Sequence, residues 1–220
     1  MARARRMALC RASVVALVVA ASIPFAHAGT SRPVKILAFG TSLTQGYGLP
    51  PGTEFTDLIE AKLKAAHVDA KLINAGVSGD TTAGGLARLE WSLADRPDAA
   101  IVEFGGNDAL RGLAPKETEK NLSAILAGFQ ARKIPTLLLG MMAPRNLGPE
   151  YAAQFDAIYP ALAKEYGTLF YPFVLSGVAM DAKFNQADGI HPNPAGEKIV
   201  ADRIFPYVLK LARLARGGSH

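Results

Sequence analysis

Short β-prone runs alternating with amphipathic helical stretches predict an α/β fold built on a five-stranded parallel sheet covered on both faces. Two observations carry that prediction. Five apolar runs are each followed by a helical pattern, and strands joined through helices pair in parallel. Runs such as 136–139 are also nearly continuous in apolar residues rather than alternating, as strands buried on both faces are. The length of 220 residues suits one domain with a sizeable core, and half of the residues are hydrophobic while a fifth are charged.

In chain order, the strands are expected at 34–39, 70–74, 99–104, 136–140 and 168–171. Phe55, Leu58, Ile59, Leu63 and Ala66 recur at helical spacing between the first two strands. Residues 82–93 form a weaker helix, because Gly84 and Gly85 lie within it. Leu122, Ile125, Leu126 and Phe129 make the next apolar stripe, and Phe155, Ile158, Tyr159 and Leu162 another. Pro160 is expected to kink or split that helix. The last helix opens at Asn193 as N-cap with Pro194 in its first turn, and buries Val200, Ile204, Val208 and Leu211.

The N-terminus carries a different signal. A basic start, an apolar run over 12–23 and the small-x-small pattern Ala26-His27-Ala28 read as a secretory signal over 1–28. The apolar run is short for a bilayer span, which takes about 20 residues, so no stable membrane span is expected after cleavage. The domain would then occupy 29–216, with 217–220 a flexible tail. The formal charge of +5 is largely a property of the leader. Arg3, Arg5, Arg6 and Arg11 fall there without any acidic residue, and the other 20 basic residues nearly balance 19 acidic ones. No nucleic-acid partner is therefore expected. Cys10, the one cysteine, also lies in the leader, so the remainder has no disulfide and no thiolate metal site.

Four short motifs punctuate the rest: Gly40-Thr41-Ser42-Leu43, Ser78-Gly79-Asp80, Gly105-Gly106-Asn107-Asp108 and Asp188-Gly189-Ile190-His191-Pro192. They follow the first, second, third and fifth expected strands, and in parallel sheets sites gather where loops leave the carboxyl ends of strands. Ser42 in a glycine-flanked turn suits a nucleophile. His191 can take and return its proton, and Asp188, three residues earlier, can bind the other ring nitrogen. A glycine N–H at Gly79, the Asn107 amide and the Ser42 N–H can serve as oxyanion donors. Asp80 and Asp108 are expected to fix loops as hydrogen-bond acceptors. Read singly, these are turn serines, turn glycines and caps; together they are the parts of an acyl-transfer site. No cluster has metal-ligand spacing, and neither metal nor cofactor is expected.

With these motifs the chain resembles the SGNH (GDSL) hydrolases, and within them the branch of thioesterase I, lysophospholipase L1 and arylesterase. The resemblance runs from about 34 to 209 and is most specific at 40–49, 74–89, 102–112 and 185–193. It implies a three-layer α/β/α sandwich of flavodoxin-like type. It also implies Ser42 as nucleophile, His191 as base, Asp188 as triad acid, and Ser42, Gly79 and Asn107 as the oxyanion hole. The family usually has Asp where this chain has Thr41, a residue expected to accept a local hydrogen bond in its place.

The branch acts on small-molecule esters and thioesters, which makes a serine esterase for aryl or short to medium acyl groups the expected activity. Leu110, Leu113, Met141, Met142 and Pro144, after the third and fourth strands, are the expected acyl-binding side chains, although the two methionines could equally finish a buried strand. Methionines adapt to varied shapes. Two alternatives remain at this point: a carbohydrate O-deacetylase of the cell envelope, which the single tryptophan Trp91 does little to support, and a non-catalytic binding module on the same fold.

Overall fold

β1 (Val34–Gly40), β2 (Ala70–Gly76), β3 (Ala99–Glu103), β4 (Thr136–Leu139) and β5 (Leu169–Tyr171) pair in parallel as one sheet in the order β2-β1-β3-β4-β5. The computed structural model describes residues 32–217. The leader read at 1–28 and the tail beyond Gly217 lie outside the described residues. Each strand begins and ends within two residues of its expected position.

Register explains where a site can form. Gly40 stands level with Gly76 on β2 and with Glu103 on β3, so the loops leaving these three strands emerge side by side. The chain reverses its direction of travel across the sheet between β1 and β3, which opens a crevice above their carboxyl ends.

The described residues form eight α-helices around the sheet. They are α1 (Ser42–Gln45), α2 (Phe55–Ala65), α3 (Thr82–Ala87), α4 (Leu89–Ser92), α5 (Gly106–Leu110), α6 (Pro115–Ala131), α7 (Pro149–Tyr166) and α8 (Pro194–Ala215). α2 packs with α8, and α8 reaches β1, β3, β4 and β5; α3, α6 and α7 pack together as the other layer. The stripes read from the sequence are the buried ones: Phe55, Ile59 and Leu63 on α2, Leu122, Ile125, Leu126 and Phe129 on α6, and Val200, Ile204, Val208 and Leu211 on α8. Between the layers Phe39 meets Phe104 edge-on, with ring centroids 5.0 Å apart.

The segment around Gly84 and Gly85 breaks at Arg88 into α3 and α4 and ends in a 3₁₀ turn at Leu93–Asp95, as a glycine-weakened helix should. Gly85 is there for packing, since a Cβ would sit 2.5 Å from the Phe104 ring. Asn193 caps α8 by accepting from the N–H groups of Ala195 and Gly196. Pro160 does not split its helix: α7 runs unbroken through it. Pro160 faces solvent, where water can satisfy the carbonyl left without a partner one turn earlier.

Glu197 in the first turn of α8 is 1 % exposed and accepts the Phe55 N–H at 2.8 Å, tying α8 to the start of α2. Burial pushes its carboxyl up to about 8 against the opposition of that hydrogen bond. An unfolded chain ionises this group near 4.5, so unfolding releases a proton between the two values and stability falls as pH rises through them. Glu197→Gln keeps an oxygen acceptor and removes the titration. Thermal melts should find its Tm less sensitive to pH between 5 and 8 than the parent's, and higher than the parent's at pH 8. An unchanged slope would assign the sensitivity to another group.

Candidate active site

Ser42 starts the single turn α1 directly after β1, and Gly46 ends that turn in the left-handed region at φ 81°. The nucleophile loop is anchored from below by Glu103, the last residue of β3, which is 1 % exposed. The Glu103 carboxyl accepts from the Thr41 N–H at 2.9 Å, the Thr41 hydroxyl at 3.0 Å and the Thr44 hydroxyl at 2.9 Å. Burial raises its pKa, and these bonds pull in the other direction. Thr41 therefore donates, where the sequence suggested a local acceptor; the reason is that a buried acceptor stands beneath it. Gly40 is required by close approach, because a Cβ there would come within 2.7 Å of that carboxyl.

His191 reaches Ser42 from the loop after β5. Its Nε2 lies 2.8 Å from Ser42 Oγ, and its Nδ1 lies 2.7 Å from Asp188 Oδ2. The other oxygen of Asp188 accepts the backbone N–H groups of Ile190 at 2.9 Å and His191 at 3.0 Å. Burial alone would raise the Asp188 pKa, but the His191 and Ile190 hydrogen bonds outweigh it and hold the group at about 2. An ionised carboxylate only accepts, so Nδ1 carries the ring proton. In the neutral imidazole Nε2 is then left to accept the serine proton.

Asn107 sits in the first turn of α5, and its Nδ2 donates to the Asp80 carbonyl at 2.8 Å. The second N–H of that amide has no protein partner among the described residues. Ser42, Asn107 and His191 line one cavity of about 570 Å³. Gly79 lies on the neighbouring loop at φ 81°, with its carbonyl accepting from Arg111 Nη2 at 2.7 Å, and does not line the cavity. That loop is pinned to the nucleophile turn, since Gln45 Oε1 accepts the Ser78 N–H at 2.9 Å.

Asp80 and Asp108 hold loops, as their positions suggested. Asp108 accepts from the N–H of Thr82 at 2.9 Å and from its hydroxyl. Asp80 binds Arg88 Nε at 2.7 Å, and Arg88 also donates to the carbonyls of Ala75 and Gly40, both at 2.8 Å. Arg88 thus rivets the ends of β1 and β2 to the Gly79 loop, with its guanidinium 4.4 Å from the Phe39 ring centre. Arg88 and Glu103 escaped the sequence reading because a lone charged residue there looks like a solvent-facing one.

Apolar side chains make most of the remaining wall. Leu110, Met141, Met142 and Pro144 line the cavity as expected. Met141 is both 6 % exposed and part of the lining, so just past the end of β4 it packs into the interior and also faces the cavity. Leu113 is the exception and lies outside the lining. It follows α5, its N–H donates to the Asp108 carbonyl and its own carbonyl accepts from the Tyr151 hydroxyl, a turn that carries its side chain elsewhere. The opposite wall was not foreseen: Phe173, Leu175, Met180 and Ile190 come from the segment after β5. Its apolar content was the available signal. Trp91 is outside the lining and 78 % exposed. Among the described residues, no group of three or more His, Cys, Asp or Glu side chains is placed to hold a metal ion.

Comparison with known proteins identifies the family. A profile of the GDSL-like Lipase/Acylhydrolase family matches residues 38–199. Esterase TesA of Pseudomonas aeruginosa is 38% identical over 172 residues, covering 78% of this chain and 86% of that protein. Thioesterase 1/protease 1/lysophospholipase L1 of Escherichia coli K12 is 38% identical over 168 residues, 76% of this chain and 79% of its own. The crystal structure of AlinE4, an SGNH-hydrolase family esterase, superposes with a TM-score of 0.70 at 46% identity, over 82% of this chain and 97% of that one. A shared fold, a family profile across most of the described chain and relatives at these identities place it without ambiguity: the chain belongs to the GDSL-like lipase/acylhydrolase family, a family of carboxylic ester hydrolases.

Proposed function

We propose that Ser42, His191 and Asp188 are the catalytic triad of a serine esterase that cleaves carboxylic esters and thioesters through an acyl-enzyme. The observation that carries this reading is the unbroken relay from Asp188 through His191 to Ser42, at 2.7 and 2.8 Å, opening into a largely apolar cavity. Ser42 Oγ attacks the acyl carbon while its proton passes to His191 Nε2. The carbonyl oxygen becomes an oxyanion, for which the Ser42 N–H and the free Asn107 amide N–H, on residues that line the cavity, are the donors, with the Gly79 N–H on the neighbouring loop as the third. Collapse of the intermediate breaks the bond to the leaving oxygen or sulfur, which takes the proton from His191. Water, giving its proton to the same nitrogen, then attacks the acyl-Ser42 ester and releases the acid.

The apolar wall supports acyl groups of short to medium length, and aryl esters, over bulky polar ones. Adding a methylene that becomes buried gains about 0.8 kcal/mol, or roughly fourfold in kcat/KM. With p-nitrophenyl esters of rising chain length, kcat/KM should climb from acetate and level off once the cavity is filled. Acetylated xylan should be a poor substrate. The converse ranking, with xylan preferred and no rise with chain length, would favour the O-deacetylase. The leader pattern supports action outside the cytoplasm, with cleavage after about Ala28; no helix among the described residues is long and apolar enough to cross a membrane.

A further inference from the structure

Ser42 and His191 belong to loops separated by 149 residues, and catalysis needs their atoms held to a fraction of an ångström. Among the described residues, only one other hydrogen bond joins the nucleophile segment 41–49 to the segment 181–193. Gln186 Nε2 donates to the Tyr47 carbonyl at 2.8 Å. The same nitrogen donates to the Pro192 carbonyl at 2.9 Å. The backbone of Gln186 grips the turn as well: its N–H donates to the His191 carbonyl at 2.7 Å, and its carbonyl accepts the Gly189 N–H at 3.0 Å. On the other side, the Tyr47 N–H donates to the Ser42 carbonyl at 3.0 Å. Gly48 at φ 72° leaves room for the Gln186 Oε1, which a Cβ would displace. The Tyr47 ring, held by this tie, lies 4.9 Å from the His191 ring and is 50 % exposed.

We propose that Gln186 is a positioning residue: its amide clamps the His191 turn to the Tyr47 segment and so sets the reach from imidazole to Ser42. The inference rests on the triad reading above. Glutamine suits the task because one NH₂ group supplies two donors to two carbonyls facing it from different loops. A methionine fills the same length without donors. A glutamate sets a carboxylate against both carbonyl oxygens.

The test measures kcat, KM and Tm for Gln186→Met and Gln186→Glu, with the rate at which an organophosphonate ester labels Ser42. Gln186→Met should lower kcat by about 10- to 100-fold, the cost of misplacing reacting groups by a fraction of an ångström to an ångström. KM should stay within about twofold, because the clamp touches no substrate. Labelling should slow in parallel, and Gln186→Glu should be slower still. Parent-like kcat in both variants, or a rise in KM alone, would overturn the clamp even if Tm falls. Ser42→Ala assayed beside them separates the two ideas. If it is inactive while Gln186→Met turns over normally, the clamp alone is wrong; if it is active, the triad reading fails first.

Discussion

Ser42→Ala and His191→Ala should each lower kcat by about 10⁴- to 10⁶-fold, and the double variant should be no worse than the poorer single one, because nucleophile and base act as a unit. The residual rate is what binding and the oxyanion donors give without a nucleophile. Asp188→Asn should cost less than His191→Ala, and the structure indicates why it costs anything. The two oxygens of Asp188 serve different clients, one the ring and one the turn's own N–H groups. An asparagine must turn its NH₂ toward one of them. Facing the ring, it donates to Nδ1 and forces the tautomer whose Nε2 cannot accept the serine proton; facing the turn, it opposes two N–H groups. Because Asp188 is held at about 2, it stays ionised well below the working range. Its ionisation should therefore not shape kcat/KM near neutral pH. Parent-like turnover in Ser42→Ala would remove the nucleophile from the account.

Asn107→Ala should reduce kcat by roughly 10²- to 10³-fold with little change in KM, since the amide would meet a charge that develops only in the transition state. It also removes the hydrogen bond to the Asp80 carbonyl, so a loss of stability of about 1 kcal/mol should accompany the kinetic effect. Asn107→Asp should be at least as slow, because it deletes both donors and sets a carboxylate near the developing oxyanion. Kinetics and thermal melts on the same samples separate the two contributions. A kcat that falls only in proportion to the unfolded fraction would make Asn107 a loop cap and nothing more.

Much of this was legible in the chain. β3 and β4 announce themselves as runs buried on both faces, and α2, α6 and α8 bury the stripes that helical spacing marks. The motif residues were legible because glycine, asparagine and aspartate after a strand have few structural reasons to recur at three other strand ends. What stayed hidden depends on partners distant in sequence. Glu103 acts on Thr41 across 62 residues, Gln186 on Tyr47 across 139 and Glu197 on Phe55 across 142. Nothing local distinguishes a buried glutamate that caps a loop from one that faces water. Whether Pro160 splits its helix depends on which face of α7 it occupies, which the sequence around it does not show. Leu113 was misjudged because the turn after α5, not its apolar character, decides where it points.

The central claim is that the acyl group passes through Ser42. An ester with a good leaving group and a slowly hydrolysed acyl chain, quenched in acid during turnover and digested for mass spectrometry, tests it directly. The account predicts the acyl mass on the peptide that carries Ser42, its disappearance with time as hydrolysis finishes, and its absence in Ser42→Ala. An acyl group found on another residue would contradict it, as would product formed by the native protein while Ser42 stays unmodified throughout.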